Sequence, residues 1–517
     1  MLLKLKNILD AVSFIIVAVA VIVGLLWSFR GDIDIRYFGK TLDTRIGGPF
    51  ETSGSNSRYA LTKSIVEDKS LFLSENLARF SSPDVVYYNN HYISIFTPGV
   101  SFAAVPLYLI GKNLGLEQIF TYSLNPIFLL ISFFLIVKLV EKISGNIKAG
   151  YIAGLAYVFG TNALNYSSTF TQHTITSTLL LLVTYIAFYH KGVIAAFFVG
   201  LLYGFGVTVD IPNSLILLPA LVIAISRAIV VNSKKEKIDV KMDITTAILV
   251  FAGMLLPLYF FGIYNQKTLG SPYKLAQMVG RNTSLKEEVV THIPKIEEKK
   301  TTQEDAAPKT SLPFDPRKQI QGLNVLLIGK ERGYLFYYPV LILSVLGIIS
   351  LVRSLDKRFA IYGITSISLI ISMYSMFGDP WGGWAFGARY LIPANALLSV
   401  FLGVAIAKFA KNILFSLAFI SLSAISIYVN TIGTLTTSAI PPKGEAEALP
   451  NPTPYTIEYN KKLIAQNQSS SLVYNNVFRQ KISLDGFSKR LSISILVILI
   501  FIYLSNLAED RPKRQQI

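Results

Sequence analysis

The sequence contains no cysteine. That excludes a disulfide framework, a thiol nucleophile, an iron–sulfur cluster and a cysteine-ligated zinc. Histidine is nearly as scarce, with four scattered along 517 residues, which argues against a histidine-rich metal site. Charge is low too. Asp, Glu, Lys and Arg make up 15% of the chain, against about 25% in a soluble domain, so a water-soluble enzyme does not fit. No GxxxxGK[ST] is present, and Gly382-Gly383 reads as a tight turn rather than a phosphate loop. What is abundant is apolar: 52% hydrophobic residues, 12% aromatic, and a mean hydropathy of +0.49. Such a composition excludes disorder over most of the chain.

The net charge is +17. The lysines and arginines sit in short clusters between apolar runs, a pattern that argues against nucleic acid and suits a lipid surface. A membrane helix takes roughly 20 apolar residues. Candidate runs lie near 8–28, 118–140, 149–168, 174–190, 193–209, 212–231, 243–264, 335–352, 359–377, 388–407, 412–431 and 490–506. The prediction is an all-α polytopic membrane protein with about 12 transmembrane helices. The first run resembles a signal peptide, but its small-x-small pair, Ala18 and Ala20, lies inside the apolar stretch, so it reads as an uncleaved span.

Alternating from an inside N-terminus, each inner loop is basic. They carry Lys142 and Lys148, then Lys191, then Arg227 with Lys234, Lys235, Lys237 and Lys241, then Arg353, Lys357 and Arg358, then Lys408 and Lys411. The tail adds Arg511, Lys513 and Arg514, so both termini are expected on the cytoplasmic side. Counting the apolar run Val100–Ile110 as a span would invert every later loop, so it is expected to be an interfacial or re-entrant helix. The chain then divides into a first span (1–28), a first outer loop with interfacial helices (29–117), a bundle (118–264) and a second long outer loop (265–334). A second bundle (335–431), a third outer loop (432–489) and a last span with a basic tail (490–517) follow. The charged stretch Lys286 to Pro316 reads as a mobile loop.

In the first outer loop, Arg58 to Lys69 has apolar residues at Ala60, Leu61, Ile65 and Val66, which predicts a short amphipathic helix at the membrane surface. The Tyr-dense stretch Ser82 to Tyr108 follows, with a turn at Pro98-Gly99. In this order, RYALTKSIVED and PDVVYYNNHYISIFTPGVSFAAVPLY resemble the first outer loop of GT-C superfamily glycosyltransferases, in the group of protein O-mannosyltransferases and lipid A aminoarabinose transferases. TVDIPNSLIL, YNQKTLGSPY, GLNVLLIGKERGYLFYYPVLIL and DPWGGWAFGARYLIP resemble later segments of the same group. The resemblance implies a GT-C-like fold in a prokaryotic plasma membrane. It implies transfer of a sugar from a polyprenyl-phosphate donor to a glycan, lipid or protein acceptor on the outer face, among membrane lipids; no cofactor is assigned, and a divalent metal stays open without a residue pattern to support it.

Such a transfer needs a carboxylate to take the acceptor proton and cations to hold the leaving phosphate. In relatives the acid sits shortly before the Arg-Tyr pair of the first loop. Here Ser55 and Asn56 stand there, and neither is acidic. The nearby acids are Glu51, Glu67 and Asp84. Asp84, which immediately precedes the matched tyrosines, is preferred as the catalytic acid, with Glu51 second. The relatives' acid-lysine pair is replaced by Ile95-Phe96, so Arg58 and Arg389 are the expected phosphate ligands. Both also fit interfacial arginines. Substrate contacts are expected from Asn56, Tyr59, Tyr88, His91, Asp210 and Trp384. Each has a plainer reading as well: a helix cap for Asp210, a structural histidine for His91 and an interfacial belt for the aromatics. Asp379 and His173 read as turn residues. No metal site is assigned, since the outer pair Asp32 and Asp34 reads as surface charge. The other readings are a flippase or transporter of lipid-linked glycans, a polymerase or ligase of surface polysaccharide, and a non-catalytic relative.

Overall fold

The computed structural model describes residues 2–31, 46–226, 229–234, 237–281, 285 and 314–508. Asp32, Asp34 and most of the charged stretch from Lys286 lie outside the described residues.

The chain is a helical, multi-pass membrane protein. Helix α1 covers Leu2–Ser28. The first loop then supplies α2 (Ser53–Glu67), α3 (Glu75–Ser81), a hairpin of β1 (Val85–Tyr88) and β2 (His91–Ser94), α4 (Gly99–Leu114) and α5 (Glu117–Tyr122). The bundle continues with α6 (Leu124–Ser144), α7 (Ile147–Gly160), α8 (Ala163–Ser167), α9 (His173–Tyr189) and α10 (Val193–Val209). Next come α11 (Asn213–Ile216), α12 (Leu218–Ser226), a second hairpin of β3 (Ile229–Lys234) and β4 (Lys237–Met242), and α13 (Ile244–Leu269).

Six described segments are long and apolar enough to cross a membrane: Ala11–Ser28, Glu117–Ser144, Ile244–Leu269, Arg389–Phe409, Ile413–Leu435 and Leu484–Leu507. Five more are apolar but shorter. The structure bears out a polytopic helical chain without confirming the expected count of about 12 spans, because full-length helices alternate with shorter and interrupted ones. The interruptions have local causes. Pro212 precedes α11 and Pro219 lies at the start of α12, while Pro339 opens a 3-10 turn ahead of Ser344–Val352. Proline cannot donate the helical hydrogen bond and clashes with the preceding turn.

Ile392–Phe409 is buried on nearly every side at the bundle centre, because Ala394, Ala396, Ser399, Gly403 and Ala405 let neighbours approach closely. Helix α13 lies at the periphery and exposes Leu255, Tyr259 and Phe260. It is held by small residues facing α10. A Cβ on Gly200 would come within 1.9 Å of the Val250 carbonyl oxygen, and one on Gly204 within 2.3 Å of that of Met254. Gly200→Leu must therefore push α10 and α13 apart. We expect a destabilisation of at least about 1–3 kcal/mol, read as a lowered unfolding temperature of the detergent-purified protein. An unchanged temperature would refute this contact.

Two sequence expectations for the first loop need correction. The amphipathic helix begins five residues earlier, at Ser53, and does not rest its polar face on a surface. Ser55, Asn56, Ser57, Arg58 and Thr62 are buried together with Tyr59, Ala60 and Leu61. The Tyr-dense stretch is partly a hairpin, with Val85 opposite Ser94 and Tyr88 opposite His91. Its turn is Asn89-Asn90, both at positive φ (49° and 63°), which Asn tolerates better than most residues. Helix α4 is amphipathic. Val100, Ala104 and Tyr108 are buried, whereas Phe102, Leu109, Ile110 and Leu114 are exposed. Its start is fixed against the end of α10: a Cβ on Gly99 would meet Thr208 at 2.5 Å, and the Thr97 hydroxyl donates to the Val209 carbonyl at 2.9 Å. That contact carries the first loop up to Asp210.

Candidate active site

The site is built from α2, the turn before α9, the end of α10 and the turn 378–390. Arg58 is buried in the middle of α2. Its Nη1 donates to the Gly54 carbonyl at 2.8 Å and its Nη2 to Gln172 Oε1 at 2.7 Å. Gln172 Nε2 in turn donates to Asp210 Oδ2 at 3.0 Å. The guanidinium lies 3.8 Å over the Phe96 ring. This is a fixed, stacked arginine, unlike a snorkelling one. Burial pushes its pKa down to about 10, against the pull of Asp210 and Asp84, with Arg389 adding to the decrease. Asp210 shows the reciprocal effect. Burial raises its pKa, and Arg58, Gln172, the Ile211 amide and Arg389 offset that only in part. Asp210 ends α10 and does not cap α11, whose N-cap is Pro212; its carboxylate turns to Gln172 before α9.

Arg389 stands on the other side of Asp210, within Coulombic reach of it. Gly382, at φ 74°, lies over this arginine, and a Cβ there would come 2.9 Å from Nε. Tyr390 beside it stacks on Tyr374, with centroids 4.6 Å apart and planes at 3°. His173, read in the sequence as a turn residue, is the buried first residue of α9 and sits edge-on between Tyr166 and Tyr390. The turn itself is anchored on its backbone. The amide of Ala388 donates to the Tyr338 hydroxyl at 2.7 Å and that of Phe386 to the Tyr166 hydroxyl at 3.0 Å. Arg332, wholly buried, donates to the carbonyls of Trp381, Gly383 and Ile440. Asp379 accepts from the Gly383 amide at 2.5 Å, the turn role read from its sequence.

The arginines share one further property. The Nε atoms of Arg58 and Arg389 are both buried without a hydrogen-bond partner. Buried donors are normally paired, so two such donors beside one aspartate mark a place suited to an anion with several acceptor oxygens.

Asp84 follows α3 and opens the hairpin. The Ser53 hydroxyl donates to its Oδ2 at 2.7 Å, and Arg281, well exposed, lies 2.8 Å from its Oδ1. It is buried and near enough to Arg58 to stabilise that charge. Asn56, on the same helix, donates to the Phe80 carbonyl and leaves its buried Oδ1 without a partner. Arg58, Arg389, Asp210 and Asp84 are electrostatically coupled and form the polar group that the fold brings towards one place, whereas Asn56, two positions from Arg58 on α2, faces Phe80.

The other sequence candidates have structural positions. Glu51 is buried and accepts from Arg30 Nη1, from the Gly47 amide at 2.7 Å, from Thr437 Oγ1 at 2.6 Å and from Ser438 N and Oγ at 3.0 and 2.6 Å. Its oxygens are occupied in joining Arg30 and Gly47 to the segment Thr437-Ser438, which follows the helix Ile413–Leu435. Glu67 accepts from the Tyr108 hydroxyl at 2.8 Å at the far end of α2. Tyr59 is core, its ring 4.8 Å from Phe50. Tyr88 lies under Lys274 Nζ at 3.9 Å, and His91 stacks on Phe72 at 4.1 Å, both at the hairpin end. Trp384 is half-buried, with Nε1 donating to Glu445 at 2.5 Å. Gln172 and Arg332 had no sequence signal. An amide in a short turn and an arginine before Gly-Tyr are too common to single out.

No protein-family model and no curated protein matches the sequence. Among solved structures the chain is similar to ArnT from Cupriavidus metallidurans in the apo state, with a TM-score of 0.50 at 11% identity, covering 96% of this chain and 76% of that one. Against a structure of the same protein bound to undecaprenyl phosphate, the TM-score is 0.47 at 10% identity, with 97% and 75% covered. The likeness to ArnT is one of fold and extends over nearly the whole chain.

Proposed function

We propose that the protein transfers a sugar from a polyprenyl-phosphate donor to an acceptor hydroxyl at the outer face of the membrane. The observation that carries this reading is the pair of arginines, Arg58 and Arg389, whose buried Nε donors both lack a partner. In the reaction the acceptor oxygen attacks the anomeric carbon and the bond from that carbon to the phosphate oxygen breaks. The bonding electrons leave with polyprenyl phosphate, and the hydroxyl proton passes to a carboxylate. The two arginines stabilise the charge that develops on the phosphate.

Asp210 is within reach of both arginines and acts on the phosphate side, where it orients Arg58 through Gln172. Asp84 is the carboxylate left for the acceptor proton. Ser53 holds its Oδ2, and the acceptor hydroxyl takes the place of the exposed Arg281 at Oδ1. No step assigned here requires a metal.

The test uses purified protein in proteoliposomes with a panel of radiolabelled polyprenyl-phosphate sugars. Release of sugar from one donor is expected, and Asp84→Asn is expected to lower the turnover number about a hundredfold or more with donor KM little changed. Movement of intact donor between leaflets without release would replace the proposal with a flippase. Release that survives Asp84→Asn but not Asp210→Asn would move the base to Asp210.

A further inference from the structure

A second cavity lies far from this site. It has a volume of about 340 Å³ and sits among the opposite ends of α9, α10 and α12, the start of α13 and the helix Arg358–Ser375. Helix α9 begins beside Arg58, at His173, and ends at Tyr189 near the cavity. Its 17 residues separate the two places by about 25 Å, close to the depth of a bilayer's hydrocarbon core, roughly 30 Å.

The walls and the rim differ in chemistry. Ala187, Ala195, Ala196 and Val199 make the walls apolar and small. His190, Lys191 and Arg358 bring cationic or polar groups to the rim, and Asp243 is the carboxylate among the lining residues. Asp243 is already engaged as the cap of α13, accepting from the Thr246 amide and hydroxyl at 3.2 and 2.6 Å. Lys191 has no ion-pair partner among the described residues. Arg358 uses Nε and Nη2 on Asp356, at 2.9 and 2.7 Å. Around the opening, Val193, Ile194, Ile244 and Ile248 are exposed apolar residues, as a lipid-facing surface requires.

We propose that this cavity binds an anionic phospholipid of the leaflet opposite the transfer site, with the headgroup phosphate at Lys191 and Arg358 and the start of an acyl chain against the alanine wall. A free anion would leave that wall without a purpose, and a neutral lipid would leave Lys191 unmatched. Basic clefts between membrane helices are suited to anionic headgroups.

The test is native mass spectrometry of the full-length protein released from nanodiscs of phosphatidylglycerol and phosphatidylcholine in equal amounts. Retention of phosphatidylglycerol several-fold above phosphatidylcholine is expected. The double variant Lys191→Gln/Arg358→Gln changes two exposed side chains and is expected to abolish the preference. Ala195→Phe fills the cavity without altering charge and is expected to lower retention of phosphatidylglycerol. Equal retention of the two lipids, or a preference that survives both variants, would overturn the proposal. So would displacement of the lipid by millimolar inorganic phosphate, which would make this a simple anion site.

Discussion

Arg58→Lys is expected to lower turnover at least tenfold while leaving the fold intact, and Arg58→Ala to lower it about a hundredfold to a thousandfold. Arg58 does several things at once. It bonds Gly54 and Gln172 through two different nitrogens, lies flat on Phe96 and keeps Nε free for an anion. A lysine ammonium carries the charge but lacks the planar fork, so it cannot reproduce these contacts together. Alanine also removes the cation whose field acts on Asp210 and Asp84, so its effect mixes chemistry with folding. Kinetics of the lysine variant, beside its unfolding temperature, therefore separate chemistry from folding. A lysine variant with wild-type turnover would remove Arg58 from the phosphate site. Gln172→Leu should fall between wild type and Arg58→Ala, because it cuts the link to Asp210 but leaves the guanidinium in place.

How much of this was legible beforehand differs from part to part. Long apolar runs without charge report helices directly, so every run singled out as a span contains helix. Their interruptions were less visible, since Pro219 and Pro339 have apolar residues on both sides. The hairpin at Val85–Ser94 was missed for a physical reason. At its base both faces are buried, while at its end Tyr87 and His91 are exposed on opposite strands, so no alternation of apolar and polar residues appears along either strand. Arg58 and Arg389 stand out in sequence because charge is rare in this chain. Gln172 does not, and its role depends on a contact 114 residues away in sequence. The polar side of α2 was read as facing outward because its burial comes from tertiary neighbours, which local periodicity does not encode.

Glu51 is the acid for which sequence and structure point in different directions, and its neutral isostere decides between them. Glu51→Gln is expected to lower stability by about 3–5 kcal/mol, as for breaking a buried ion pair. It leaves the Arg30 guanidinium buried and uncompensated. Replacing both Arg30 and Glu51 with apolar residues should recover only part of the loss, because Gly47, Thr437 and Ser438 would still lack their acceptor. The dependence on pH has a definite sign. Burial alone would raise the Glu51 pKa, but Arg30, Ser438, Thr437 and Gly47 outweigh it and hold the carboxyl below its ordinary value of 4.5. Its contribution to stability is therefore fully present above that value and is lost as pH falls through the lowered one. Unfolding temperature of the purified protein between neutral and acid pH measures this, and the difference between wild type and Glu51→Gln should shrink towards acid. If Glu51→Gln instead unfolds at the wild-type temperature and loses turnover, Glu51 takes part in the chemistry. The clamp on Gly47, Thr437 and Ser438 would then be incidental, and Asp84 would lose its claim as the base.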